Sequence, residues 1–451
     1  MKNLLVVAGM LVFILVFSMA VVGCKNEDSP PGGVPEEETP DYTFPDPLKS
    51  ILTMNDGTEL TTMAQWSARR EELKTIMQDN SYGQWRSGED VTYSISGNTL
   101  TVKISYGGKN VQFDAVVEKP SGSPPSGGWP VILAFGALDG AFATGNPRQY
   151  ALDNGYANIA VPTGAVATDS NAHTGAFYTL YPYSSAAESQ TGVLMAWAWG
   201  ASKVLDALEK GATSELAIDA SKTIITGFSR NGKAAAVAGA FEERFKITVP
   251  VSSGAGGCAI YRYDSAGQTY DLSGYFSYNG GGTWKVDGNN PQSLSAIQGD
   301  SGGGWFNAKF RTFSKPDDLP FDQHFLLALC AANDRYLFMV NGFEWDKWTN
   351  PPGFFYNFEL TKPVFDLLGV PQNIAVSMHR ERHGIEKEDM VKLIKYANYF
   401  FYGTQNLTFD YPAGKPKPAT WEGFMEDLHK TPFSKSVSSS NNATYEAGKP
   451  K

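Results

Sequence analysis

Ser229, Arg230 and Lys233 fall within five residues of one another in ITGFSRNGKAAAVAGAF, which starts at Ile225. The stretch passes from β-branched residues to alanines at the serine, so it reads as a strand turning sharply into a helix. A serine on such a corner is presented as an alcohol nucleophile when glycines flank it, because a Cβ would clash with the turn. Gly227 stands two residues before Ser229, but Asn231 occupies the usual place of the second glycine, which is displaced to Gly232. The competing reading is a serine that only caps the helix. Arg230 and Lys233 argue for chemistry, since a cation in a first helical turn loses about 0.3–1 kcal/mol to the helix dipole. Their place suits a negative charge or polar oxygens bound there.

A serine nucleophile needs an imidazole to take its proton and a carboxylate to orient that imidazole. On an α/β-hydrolase scaffold these follow in the chain order serine, acid, histidine. The histidines are His173, His324, His379, His383 and His429. His173 precedes Ser229, and His324 precedes the strand RYLFMVNG that should deliver the acid. MHRERHGIEKEDM carries His379 and His383 just before a final helix. Gly384 permits a sharp turn beside His383, whereas His379 still belongs to a strand pattern, so His383 is the expected base. The loop after RYLFMVNG reads FEWDKWTNP and offers Asp346 as the acid, with Glu344 as the alternative. HRERH also spaces two histidines as a helical zinc site would, but Arg380 stands where a zincin motif needs glutamate. No metal site is expected.

The elements that must carry these groups alternate along the chain. WPVILAFG (129–136) and YANIAVP (156–162) read as buried strands, and residues 191–209 as a helix with one apolar face. KTIITGFS, FKITVPVSS, RYLFMVNG and NIAVSMHR read as strands, RNGKAAAVAGAFEE and EKEDMVKLIKYANYFFYG as helices. The pattern predicts an α/β-hydrolase fold, a three-layer sandwich around a mostly parallel sheet. Residues 258–304, rich in Gly, Tyr, Asn and Ser, are expected to form a surface loop system.

The 451 residues carry a net charge of −10 with no long basic run, which excludes a nucleic-acid partner. Residues 1–23 read as a lipoprotein signal peptide ending at Val21-Val22-Gly23, with Cys24 as the lipidated residue. That predicts export and a lipid anchor to a bacterial membrane, outer membrane or cell surface, through a flexible tether over 24–48. The catalytic domain is expected over 49–434 and a disordered tail over 435–451. Cys258 and Cys330, in small apolar surroundings, are expected as free buried thiols. A monomer is expected.

GFSRNGK resembles the signature of the glucuronoyl esterases, carbohydrate esterase family 15. MAWAWGASKVLDALE, VPVSSGAGG, WFNAKFRTF, LPFDQHFLLAL and the DKWTNP segment are similar to stretches of that family in the same order. The resemblance runs from about Pro130 to Gly403. It implies a serine esterase cleaving the ester between 4-O-methylglucuronic acid on xylan and a lignin alcohol, with Ser229 as nucleophile, Arg230 at the oxyanion, and Lys233 and Trp305 on the sugar. An arginine donor at the oxyanion is worth a few kcal/mol, more than the dipole costs. Three positions depart from fungal members. Ser252 stands where they carry the triad glutamate, Phe228 replaces a disulfide-forming cysteine, and bacterial members supply the acid from a D-x-W segment, as in Asp346-Lys347-Trp348. Asp389, six positions after His383, also matches the bacterial form. Such two-step acyl transfer needs no cofactor. Alternatives are another carboxylic ester hydrolase of plant polysaccharide, or an inactive surface glycan-binding lipoprotein.

Overall fold

A computed structural model describes residues 50–430, except 139–144, 185, 187–189, 264, 266–268, 272–282, 286–291, 300–303, 344–345, 381–382 and 409–416. The signal, the tether and the tail lie outside the described residues. Strands β1 (Asp90–Ser96), β2 (Thr99–Tyr106) and β3 (Lys109–Glu118) come first, followed by β4 (Trp129–Phe135), β5 (Ala157–Val161), β6 (Ile218–Phe228) and β7 (Ile247–Val251). A separate two-stranded ribbon pairs β8 (Thr269–Asp271) with β9 (Thr283–Lys285), and β10 (Tyr336–Gly342) and β11 (Ile374–His379) complete the set.

Nine of these strands form one sheet in the order β1-β2-β3-β5-β4-β6-β7-β10-β11. From β5 to β11 every neighbour is parallel, while β1, β2 and β3 join antiparallel at one edge. The parallel strands are apolar runs because both their faces are covered. In β4, Val131, Leu133 and Phe135 enter one core while Ile132 and Ala134 enter the other. The first core takes the helices Met63–Met77, Val193–Ala207, Arg230–Phe241 and Pro351–Leu367, and the second takes Lys387–Tyr402 and Trp421–Asp427. This is the three-layer α/β-hydrolase architecture that the alternating pattern predicts.

Two expectations need correcting. The helix Val193–Ala207 is not one-faced: 14 of its 15 residues are buried. Its outer face is covered too, with Trp197 Nε1 donating to Ala167 O and Trp199 Nε1 donating to Glu89. Nor is 258–304 simply a surface loop. Cys258 through Tyr263 are buried, as are Tyr270 and Trp284. The Arg262 guanidinium donates to the carbonyls of Leu319 and Phe321 and lies 3.3 Å from Asp322. Those bonds tie the start of the segment beneath the LPFDQH stretch. Cys258 and Cys330 are free and buried, as expected.

Candidate active site

The serine sits on a strained corner. Ser229 follows β6 directly and has φ 61° and ψ −124°, with the helix Arg230–Phe241 beginning at the next residue. Few non-glycine residues hold a positive φ, and such strain concentrates where a side chain must be aimed. The Ser229 N–H donates to Val251 O at 2.9 Å, and its carbonyl accepts from Lys233 N. Its side chain makes no capping hydrogen bond, which removes the helix-cap reading.

The irregular glycine spacing has a packing cause. A Cβ at Gly227 would lie 2.3 Å from Asn231 O, and one at Gly232 would lie 2.5 Å from Val251 O. The turn therefore needs its second glycine at 232, where the helix crosses the backbone of β7. Asn231 is freed to donate from Nδ2 to Phe135 O at 2.9 Å, pinning the corner to β4. Gly232→Ala is expected to destabilise the protein by about 1–3 kcal/mol, since backbone must move to admit the methyl group. Asn231→Gly would complete the usual pentapeptide yet is expected to lose about 1 kcal/mol with that hydrogen bond. Thermal melts of both variants check this.

The loops after β6, β10 and β11 leave the same edge of the parallel sheet, where ligand sites of such sheets form. Asp346 lies in the loop after β10 and is fully buried, with its carbonyl accepting from Thr349 N and Oγ1. His383 lies after β11, and its Nδ1 stands 2.7 Å from Asp346 Oδ1. The imidazole is wedged between two aromatic rings: the centroids of Phe228 and Trp348 each lie 4.5 Å from it. Phe228 immediately precedes Ser229, so the residue at the fungal cysteine position forms one wall of the His383 slot. Glu344, the alternative acid, falls outside the described residues.

The two histidines of HRERH serve different carboxylates. His379 ends β11, is 2% exposed, and places Nδ1 2.7 Å from Asp389 Oδ2. Asp389, six positions after His383, thus faces His379. Asp389 also accepts from Ser377 Oγ at 2.8 Å and from Glu386 N at 2.9 Å. These bonds tie both ends of the loop that carries His383. Burial alone would raise the Asp389 pKa, but His379, Lys392 and the Glu386 N–H outweigh it and hold the carboxyl below its usual range. A depressed carboxyl contributes stability above its unfolded pKa, near 3.9, and loses it as pH falls through the folded value. Asp389→Asn is expected to melt lower at pH 7 and to show a shallower loss of melting temperature below about pH 4 than the unaltered protein. His173 stacks on Tyr183, His324 is buried, and His429 bonds to Ile374 O.

The two first-turn cations differ. Arg230 is half-exposed and bonds through Nη1 to Asp169 Oδ2 at 2.5 Å. Lys233, by contrast, is 2% exposed. Its ammonium donates to the carbonyls of Ser253 and Ala255 and, at 3.3 Å, to Gln292 Oε1. Burial pushes its pKa down to about 7. Trp305 is 5% exposed and lies between them, its ring 5.5 Å from the Arg230 guanidinium and 5.6 Å from the Lys233 ammonium. Ser252 keeps a positive φ of 44°, is buried, and accepts from Gly342 N, so the fungal acid position here links β7 to β10. Asp169 and the contact of Trp348 with His383 are not evident from the sequence. The D-K-W segment hints at Trp348; nothing local marks Asp169.

A serine aimed from a β6 elbow, with an imidazole and a buried carboxylate on loops at the same end of the parallel strands, defines the class: an α/β-hydrolase fold. A sequence profile described as "Glucuronyl esterase, fungi" matches residues 102–369. A multidomain esterase of Ruminococcus flavefaciens is 39% identical over 80% of this chain, which spans 46% of that longer protein. A 4-O-methyl-glucuronoyl methylesterase of Schizophyllum commune is 34% identical, covering 73% of this chain and 75% of its own length. The solved carbohydrate esterase family 15 glucuronoyl esterase of Caldicellulosiruptor kristjansonii superposes with a TM-score of 0.71 at 41% identity, covering 81% of this chain and 95% of its own. The chain belongs to the glucuronoyl esterase family.

Proposed function

We propose that the protein hydrolyses esters of glucuronic acid, in particular those joining (4-O-methyl-)glucuronic acid of glucuronoxylan to lignin alcohols. The observation that carries this is the 2.7 Å contact of His383 Nδ1 with buried Asp346, beside the ring that precedes Ser229. Ser229 Oγ attacks the uronate carbonyl carbon while its proton passes to His383 Nε2. Asp346 fixes the tautomer that leaves Nε2 free and stabilises the imidazolium once formed. Arg230 donates to the oxyanion of the tetrahedral intermediate. Collapse of that intermediate breaks the bond to the alcohol oxygen, which takes the proton from His383. Water then enters by the reverse steps and releases the acid.

Lys233 is preset by two carbonyls, and its weaker link to Gln292 is the one a sugar oxygen would replace. Trp305 forms the wall behind both cations. An anchor on Cys24 would hold the enzyme at the membrane against its polymeric substrate. Initial rates on a benzyl ester of glucuronic acid and on acetylated xylan test the reading. Turnover of the first without the second is expected. Deacetylation alone would favour another polysaccharide esterase, and turnover of neither would favour glycan binding without catalysis.

A further inference from the structure

Asp169 lies 60 residues before the nucleophile, yet it touches two of the groups around it. Its Oδ1 accepts from Trp305 Nε1 at 2.7 Å, and its Oδ2 pairs with Arg230 Nη1 at 2.5 Å. One carboxylate thus ties the guanidinium and the indole together, with the guanidinium over the indole ring. Both supports are themselves fixed. The Asp169 segment closes on itself through Thr168 N to Thr174 O, and Ser170 O approaches Gly304 so closely that a Cβ there would lie 2.3 Å away. Trp305 O accepts from Leu194 N at the start of the buried helix. Arg230, in contrast, leaves half its side chain in solvent and would sample many rotamers if unpartnered.

We infer that Asp169 is a positioning and charge-setting residue, which holds Arg230 over Trp305 and makes the site favour a neutral uronate ester over the anionic uronic acid it releases. The inference rests on the oxyanion role proposed for Arg230. A single developing oxygen needs one donor in a fixed place, and a guanidinium already held by Asp169 supplies it without reorganisation. A product carboxylate gains most from an arginine whose charge and paired donors are both unclaimed. Asp169 claims part of each, so product leaves more readily while the ester loses nothing.

The test uses purified protein carrying Asp169→Asn or Asp169→Ala, each alone and combined with Arg230→Ala, with benzyl glucuronate ester as substrate and glucuronic acid as inhibitor. Loss of positioning is expected to lower kcat about 10- to 100-fold in Asp169→Ala and less in Asp169→Asn, which keeps an acceptor for Trp305. The inhibition constant for glucuronic acid is expected to fall about 2- to 5-fold in Asp169→Asn, the scale of a part-exposed ion pair. Neither effect should persist in the Arg230→Ala background. Unchanged kcat and inhibition in both single variants, with Arg230→Ala impaired, would overturn the inference alone. Effects that simply add to those of Arg230→Ala would also overturn it. An Arg230→Ala enzyme of unaltered kcat would refute the oxyanion role itself, and this inference with it.

Discussion

Ser229→Ala is expected to lower kcat on a benzyl glucuronate ester by roughly 10⁴- to 10⁶-fold, because members of such a triad act as one unit. The KM should stay within about threefold, since the hydroxyl is spent on the reacting carbon and not on holding the sugar. The fold should tolerate the change. Ser229 makes no side-chain cap, and its positive φ is imposed by Gly227, Gly232 and the bond from its N–H to Val251 O. Alanine suffers that φ no more than serine does, so the melting temperature should hardly move. Initial rates and thermal melts on the same preparation separate lost chemistry from lost structure. More than about 1% residual activity would rule Ser229 out as the nucleophile.

The second large effect is expected from Asp346→Asn, about 10⁴-fold in kcat. Asparagine fits the same space but offers an amide where the imidazole needs an acceptor, which favours the tautomer that cannot take the serine proton. Asp346 is fully buried, with its loop held by Thr349, and Asn341 Nδ2 in turn bonds to Thr349 Oγ1 at 3.1 Å. The imidazole should therefore keep its slot between Phe228 and Trp348, and KM should change little. Asp389→Asn provides the contrast, since that carboxylate faces His379 and its loss should act on stability first. If Asp346→Asn retains more than about a tenth of the activity while Glu344→Ala removes it, Glu344 is the acid.

How far the sequence announces this site depends on the range of the interactions involved. β4, β5, β6, β7, β10 and β11 are legible because each is a short apolar run buried on both faces, closed by glycine, proline or a polar loop. Ser229, Asp346 and His383, proposed as nucleophile, acid and base, are legible as candidates because each follows one of those strands in the order the fold requires. The antiparallel edge β1–β3 is not read from the sequence, because its solvent-facing positions interrupt the apolar runs. The helix Pro351–Leu367 carries Pro363 in its interior, which signals a break locally. Packing against the sheet overrides that signal. That Asp389 faces His379 is not legible, because its spacing from either histidine says nothing of which one the last helix turns toward. The Asp169–Trp305 bond joins residues 136 positions apart, and no local pattern encodes it.

The central claim is that Ser229 is an activated alcohol served by His383 and Asp346. A fluorophosphonate reacts only with such an activated hydroxyl, so peptide mapping by mass spectrometry after labelling reads the claim directly. The account predicts one adduct, on the peptide bearing Ser229, formed at a rate that collapses in His383→Ala and in Asp346→Asn. Hydrolysis of the glucuronate ester with no adduct on that peptide, or an adduct indifferent to both substitutions, would contradict it.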